Sequence, residues 1–101
     1  MVNRLVDVTL ISQTEAYDSM GVPTISETKS TIKGNFQSVS AQEFYRGGEI
    51  GIKPEFIVKV WEREYNGETV LEYEGKRYII YRTYLVADGR TELYCQKDVG
   101  A

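Results

Sequence analysis

Two glutamate pairs, Glu62/Glu64 and Glu72/Glu74, stand two positions apart in strand-like sequence, a spacing that puts both carboxylates on one face as a general acid and base would require. The partners for such chemistry are missing. The chain has no histidine and one cysteine, Cys95, which excludes Ser-His and Cys-His nucleophiles, zinc fingers, His-ligated metals and an intrachain disulfide. Gly47-Gly48 with Gly51 lacks the strand-loop-helix setting and the Lys-Ser/Thr of a phosphate loop. The glutamate pairs therefore read as surface charge, and no catalytic residue, metal or cofactor is expected. Cys95 alternates with Leu93 on one side of a strand pattern and reads as a small core residue.

Twelve Lys and Arg against fifteen Asp and Glu give a net charge of −3, with the signs interleaved. Between Glu55 and Glu74 six acids accompany only two bases, Lys59 and Arg63. The run from Arg77 to Tyr84 mixes bases and aromatics and could stack single-stranded bases as OB-type barrels do. An OB-like single-stranded nucleic-acid-binding barrel is thus the alternative function, although its acidic neighbour disfavours phosphate binding. Apolar runs reach only two or three residues, as at Phe56-Ile57-Val58, too short to span a membrane. Met1-Val2-Asn3-Arg4-Leu5 does not resemble a signal peptide, so a cytosolic setting is expected.

The elements that must position these residues are mostly strands. Ten Val and eight each of Ile, Thr and Tyr stand against four Ala and five Leu, which favours β structure in a single domain over residues 1–101. Alternation predicts strands over 5–13, with Val6, Val8 and Leu10 on one face, and over 30–39, with Ile32, Gly34 and Phe36 on one face and Gly34 at a bulge or bend. Between them, Thr14 to Lys29 loses periodicity and reads as a long loop. Ser40 and Glu43 have capping-box spacing, so a helix is expected over 40–46 with Gly47-Gly48 as its stop. Beyond Pro54 an antiparallel meander is expected, with strands over 55–65, 69–73, 76–86 and 90–97 and turns at Asn66-Gly67, Glu74-Gly75 and Asp88-Gly89. The expected fold is all-β: a small six-stranded antiparallel barrel or sandwich with one short helix and one long loop.

The strand from Arg77 to Leu85 carries bulk on both faces, Ile79, Tyr81 and Leu85 on one and Tyr78, Ile80 and Tyr84 on the other. Trp61 and Tyr65 show the same excess, which points to a packed subunit interface rich in Tyr, Trp and Arg.

Taken in order, Ser40-Ala-Gln-Glu-Phe-Tyr45, Gly51-Ile-Lys-Pro-Glu55, Tyr65-Asn-Gly-Glu68, Val70-Leu-Glu-Tyr-Glu-Gly-Lys-Arg-Tyr78, Ile80-Tyr-Arg-Thr-Tyr84 and Thr91-Glu-Leu-Tyr94 resemble the head-closure, or head-tail joining, proteins of tailed phages and prophages. The resemblance implies a non-enzymatic virion protein, found in the host cytoplasm during assembly and then at the head-tail interface. It implies a small β-barrel that joins a ring, typically of twelve copies, between a portal adaptor above and a tail or tail-completion protein below. DNA would pass through without tight binding, and no membrane would be involved. The channel or plug role falls on Tyr17, Asp18, Ser19, Met20, Gly21, Val22, Pro23 and Thr24 of the long loop. Glu43, Phe44, Tyr45, Arg46, Trp61, Arg82 and Tyr84 are the expected subunit or adaptor contacts. A different phage neck or tail-terminator protein on a related barrel is a further alternative.

Overall fold

In a computed structural model, which describes residues 4–98, six strands close into an antiparallel barrel. The ends of the expected domain, residues 1–3 and 99–101, lie outside the described residues. The strands are β1 (Arg4–Tyr17), β2 (Pro23–Ser38), β3 (Pro54–Trp61), β4 (Val70–Tyr73), β5 (Lys76–Leu85) and β6 (Arg90–Lys97), with helix α1 (Ala41–Glu49) between β2 and β3. Their order around the barrel is β1-β2-β3-β6-β5-β4, and β1 closes it by pairing Thr9, Leu10 and Ile11 with Glu72, Leu71 and Val70.

Period-two alternation sends Val8, Leu10, Phe56, Val58, Val60, Leu71, Ile80, Leu93 and Cys95 into one buried cluster. Each buried aliphatic contributes roughly 1.5–3 kcal/mol by leaving water. Phe36, Phe56, Tyr73 and Tyr78 add an aromatic layer, with Phe56 and Tyr78 in edge contact at 4.6 Å between centroids. Burial pushes the Tyr78 hydroxyl and the Cys95 thiol up, so both stay neutral. Gly34 marks no bulge: its pairing with Val6 of β1 continues without a shift, and β3 pairs with β2 only from Asn35 onward. A Cβ there would lie 2.5 Å from Val58 Cγ1, so this inward position is glycine because two valines fill its space.

The sequence 14–29 is not a loop. It is the outer half of the β1–β2 hairpin, paired residue for residue from Arg4↔Phe36 to Tyr17↔Pro23, so β2 begins at Pro23 and not at Ser30. The alternation stops there because neither face is buried, not because the strand ends.

Three further expectations change. Gly47 and Gly48 lie inside α1, which ends at Glu49 and is capped by Ile50 before Gly51 at φ +80°. Gly47 is needed because a Cβ would meet Pro54 Cγ at 2.8 Å, so the helix runs against β3 and extends to Glu49. The strand expected over 55–65 stops at Trp61, residues 62–64 form a 3-10 turn, and Asn66-Gly67 is a loop and not a hairpin, because β3 pairs with β6. Glu74 and Gly75, both at positive φ, do form the β4–β5 hairpin, and Asp88-Gly89 lies in the β5–β6 turn. In β5 the register shifts between Ile80 and Arg82, which breaks the expected two-faced pattern: Ile80 is in the core, whereas Tyr84 and Leu85 are exposed.

Candidate interaction sites

The hairpin arm begins where β1 and β2 leave the barrel. Beyond Ile11 on β1 and before Asn35 on β2, each strand pairs only with the other, so the arm is a two-stranded ribbon with two open edges. Every residue from Gln13 to Thr31 is exposed. The tip is a tight turn: Asp18 Oδ1 accepts the Met20 and Val22 N–H groups at 2.8 and 2.9 Å, the Gly21 N–H donates to the Asp18 carbonyl, and Gly21 takes φ +81°. Thr24 Oγ1 donates to the Ala16 carbonyl just below it. The segment from Tyr17 to Thr24 is thus together at the tip, and Tyr17, Met20, Val22 and Ile25 leave large apolar side chains in solvent, Met20 at 86% exposure.

One contact fixes the arm's direction. Arg77 on β5 binds Glu27 on β2 with two parallel bonds, Nη1–Oε2 at 2.8 Å and Nη2–Oε1 at 2.9 Å, and Gln13 Nε2 adds a third from across the hairpin. These bonds, Arg77's first, hold the Glu27 carboxyl at about 2 instead of 4.5.

A second Arg–Glu pair seats the helix. Ser40 Oγ caps α1 by accepting the Glu43 N–H. The Glu43 carboxylate points away to β5, where it accepts Tyr81 Oη at 2.6 Å and the Arg82 guanidinium at Nε and Nη2. Consecutive strand residues ordinarily face opposite ways; the irregularity between Ile80 and Arg82 lets Tyr81 and Arg82 reach one carboxylate. The Arg82 hydrogen bond draws the Glu43 pKa down against its burial, while burial and the Glu43 bond push the Tyr81 phenol up. Arg82 also lies 3.8 Å over the Tyr94 ring.

The expected contact residues therefore fall in three places. Glu43 and Arg82 bind each other within the chain, Phe44 and Tyr45 project from the outer side of α1, and Arg46 lines a shallow groove beside it. Tyr84 is exposed on β5, and Trp61 sits elsewhere, at the end of β3.

Around Trp61 the barrel forms a cleft of about 410 Å³ lined by Lys33, Lys59, Arg63 and Arg90 as well as Leu5, Gly34 and Glu64. Arg63 and Arg90 lie over the Trp61 ring at 5.3 and 4.6 Å from its centroid. Lys33 is paired with Asp7 and Arg90 approaches Asp88 at 3.7 Å, but Arg90 Nε is buried with no hydrogen-bond partner. Sequence reasoning missed this basic cluster, whose members come from three strands and a turn and include the only two bases of an otherwise acidic stretch. It also missed Ile25 and Glu27, and it read Arg77 as a nucleic-acid contact and not as the partner of Glu27.

Among the described residues no group of three or more His, Cys, Asp or Glu could hold a metal ion, and no helix is long and apolar enough to cross a membrane. A comparison of the sequence with protein-family models and with curated proteins finds no match.

Proposed function

We propose that this protein is a structural virion component that joins the portal adaptor of a phage head to the tail as one subunit of a ring, its arms lining and helping to close the DNA channel. The observation that carries the reading is the arm itself. A closed barrel satisfies its own strand edges and its own core, so an added two-stranded ribbon with four bare apolar side chains contributes nothing to folding and is suited to contacting something outside the barrel. The block-by-block resemblance from Val39 to Val99 supports the phage context. The acidic balance suits a passage that DNA must traverse without sticking, since carboxylates repel phosphates.

The nucleic-acid alternative rested on Arg77 and Arg82. Both guanidiniums are bonded to glutamates of the same chain, which takes two of that strand's three bases, all but Lys76, out of use for phosphate binding.

The test shortens the arm without disturbing the barrel. Replacing residues 14–26 by Asn-Gly joins Gln13 to Glu27, which already face each other, and keeps the Glu27–Arg77 pair. Supplied in place of the intact chain, this variant is expected to fold with unchanged melting temperature yet to yield particles that leak DNA or take no tails. Normal titres from it would overturn the reading.

A further inference from the structure

We propose that the arm tip of one copy seats in the Trp61 cleft of a second copy, a head-to-tail contact in which Glu15 and Asp18 meet Lys59 and Arg63 while the apolar tip covers Trp61. The inference rests on the ring reading for closure of successive contacts; the contact itself needs no phage context.

Charge complementarity selects the pair of surfaces. From Leu5 to Thr28 the chain has no Lys or Arg. Of its four acids, Asp7 is held by Lys33 and Glu27 by Arg77, which leaves Glu15 and Asp18 near the outer end of the arm. Asp18 spends one oxygen, Oδ1, on the turn. At the cleft, no ion pair engages Lys59 or Arg63 among the described residues, and Arg90 Nε has no hydrogen-bond partner. Carboxylates in reach of these groups would supply the missing acceptors, with the apolar side chains beside them covering Trp61 and the exposed Leu5.

Geometry excludes the chain's own arm. Leu5 and Gly34, in the cleft, and the turn at 18–22 are opposite ends of one continuous hairpin, about 40 Å apart along β1 at 3.3 Å per residue. The molecule is correspondingly long, 52 × 30 × 25 Å. An arm can reach only another molecule's cleft, and a contact between two different surfaces propagates head to tail, closing as a ring where the rotation between successive copies allows. The groove beside α1 is a poorer seat for an acidic tip, since its Glu43 and Arg82 neutralise each other and Arg46 alone is left.

The test is a charge swap read by sedimentation velocity of the full chain from about 10 µM to about 1 mM, near the range where unaided protein contacts begin to populate. Wild type is expected to associate at low salt and to weaken at high salt. Glu15→Arg and Arg63→Glu, both at exposed positions, should each weaken association about tenfold or more, and the two together should restore it. A strictly monomeric wild type, single reversals without effect, or a double variant as weak as the singles would each overturn the contact. So would an oligothymidylate strand retained by wild type and lost in Arg63→Glu, which would give the cleft to nucleic acid. Heads that bind the protein while both reversals leave association unchanged would sink the latch alone; swap-restored association in a chain that no head accepts would sink the joining role alone.

Discussion

The first two strands live in two environments. Up to Ile11, β1 is a barrel stave with Val8 and Leu10 at 1% and 0% exposure; from Gln13 onward the same strand, paired to the same partner, has nothing on either face. Backbone pairing is continuous across the boundary, so hydrogen bonding does not distinguish the halves. Burial does. Inside the barrel, side chains are set by the space available. On the arm they are free of that constraint, and the apolar residues kept there are the ones that need a reason outside the fold.

The sharpest way to break this contrast is a matched truncation. Leu10→Ala empties a fully buried site and should cost about 3 kcal/mol in denaturant unfolding. Ile25→Ala, on the same hairpin but exposed, should stay within about 0.5 kcal/mol. Comparable losses would mean that the arm packs against its own barrel. Gly34→Ala probes the barrel half from the opposite direction, by overfilling it: a methyl 2.5 Å from Val58 Cγ1 should cost about 1–3 kcal/mol, measured the same way.

The two Arg–Glu pairs refine the comparison, since one holds a buried carboxylate and the other an accessible one. Glu43→Gln leaves the Arg82 and Tyr81 donors facing a neutral amide under α1; because the Arg82 side chain is 41% exposed, solvent screens the loss to about 1 kcal/mol. Glu27→Gln should leave global stability unchanged and only free the arm. Acid should do likewise. The Glu27 pKa is lowered in the folded chain, so the anchor is complete above pH 4.5 and is lost as pH falls toward about 2. Protection of the arm amides, taken relative to intrinsic exchange at each pH, should fall across that window in wild type and already be low at neutral pH in Glu27→Gln. Arm exchange indifferent to both would show that Arg77 does not hold it.

The same boundary separates what could be read in the sequence from what could not. Val6, Val8 and Leu10 alternate because one face is buried, and that part of β1 was legible; Gln13 to Thr31 is equally a strand but has no buried face to imprint a pattern. Glu74-Gly75 was legible because a two-residue hairpin is local. The β3–β6 pairing was not, since nothing in either segment names a partner some thirty residues away, and Asn66-Gly67 suggested a nearer one. Glu43 and Arg82 were picked out singly, but their union depends on a bulge that no composition announces. The cleft at Trp61 was hidden for a related reason: Lys59 and Arg63 are outnumbered by acids in sequence, yet in space they join Lys33 and Arg90.

Amide hydrogen exchange on the free chain and on its assembled form tests most directly whether the arm is the working surface. The expected result is that barrel amides are slow in both states, whereas the arm from Gln13 to Lys29 and the segment around Trp61 gain further protection on assembly. New protection that falls on α1 and β5 while that of the arm is unchanged would contradict it.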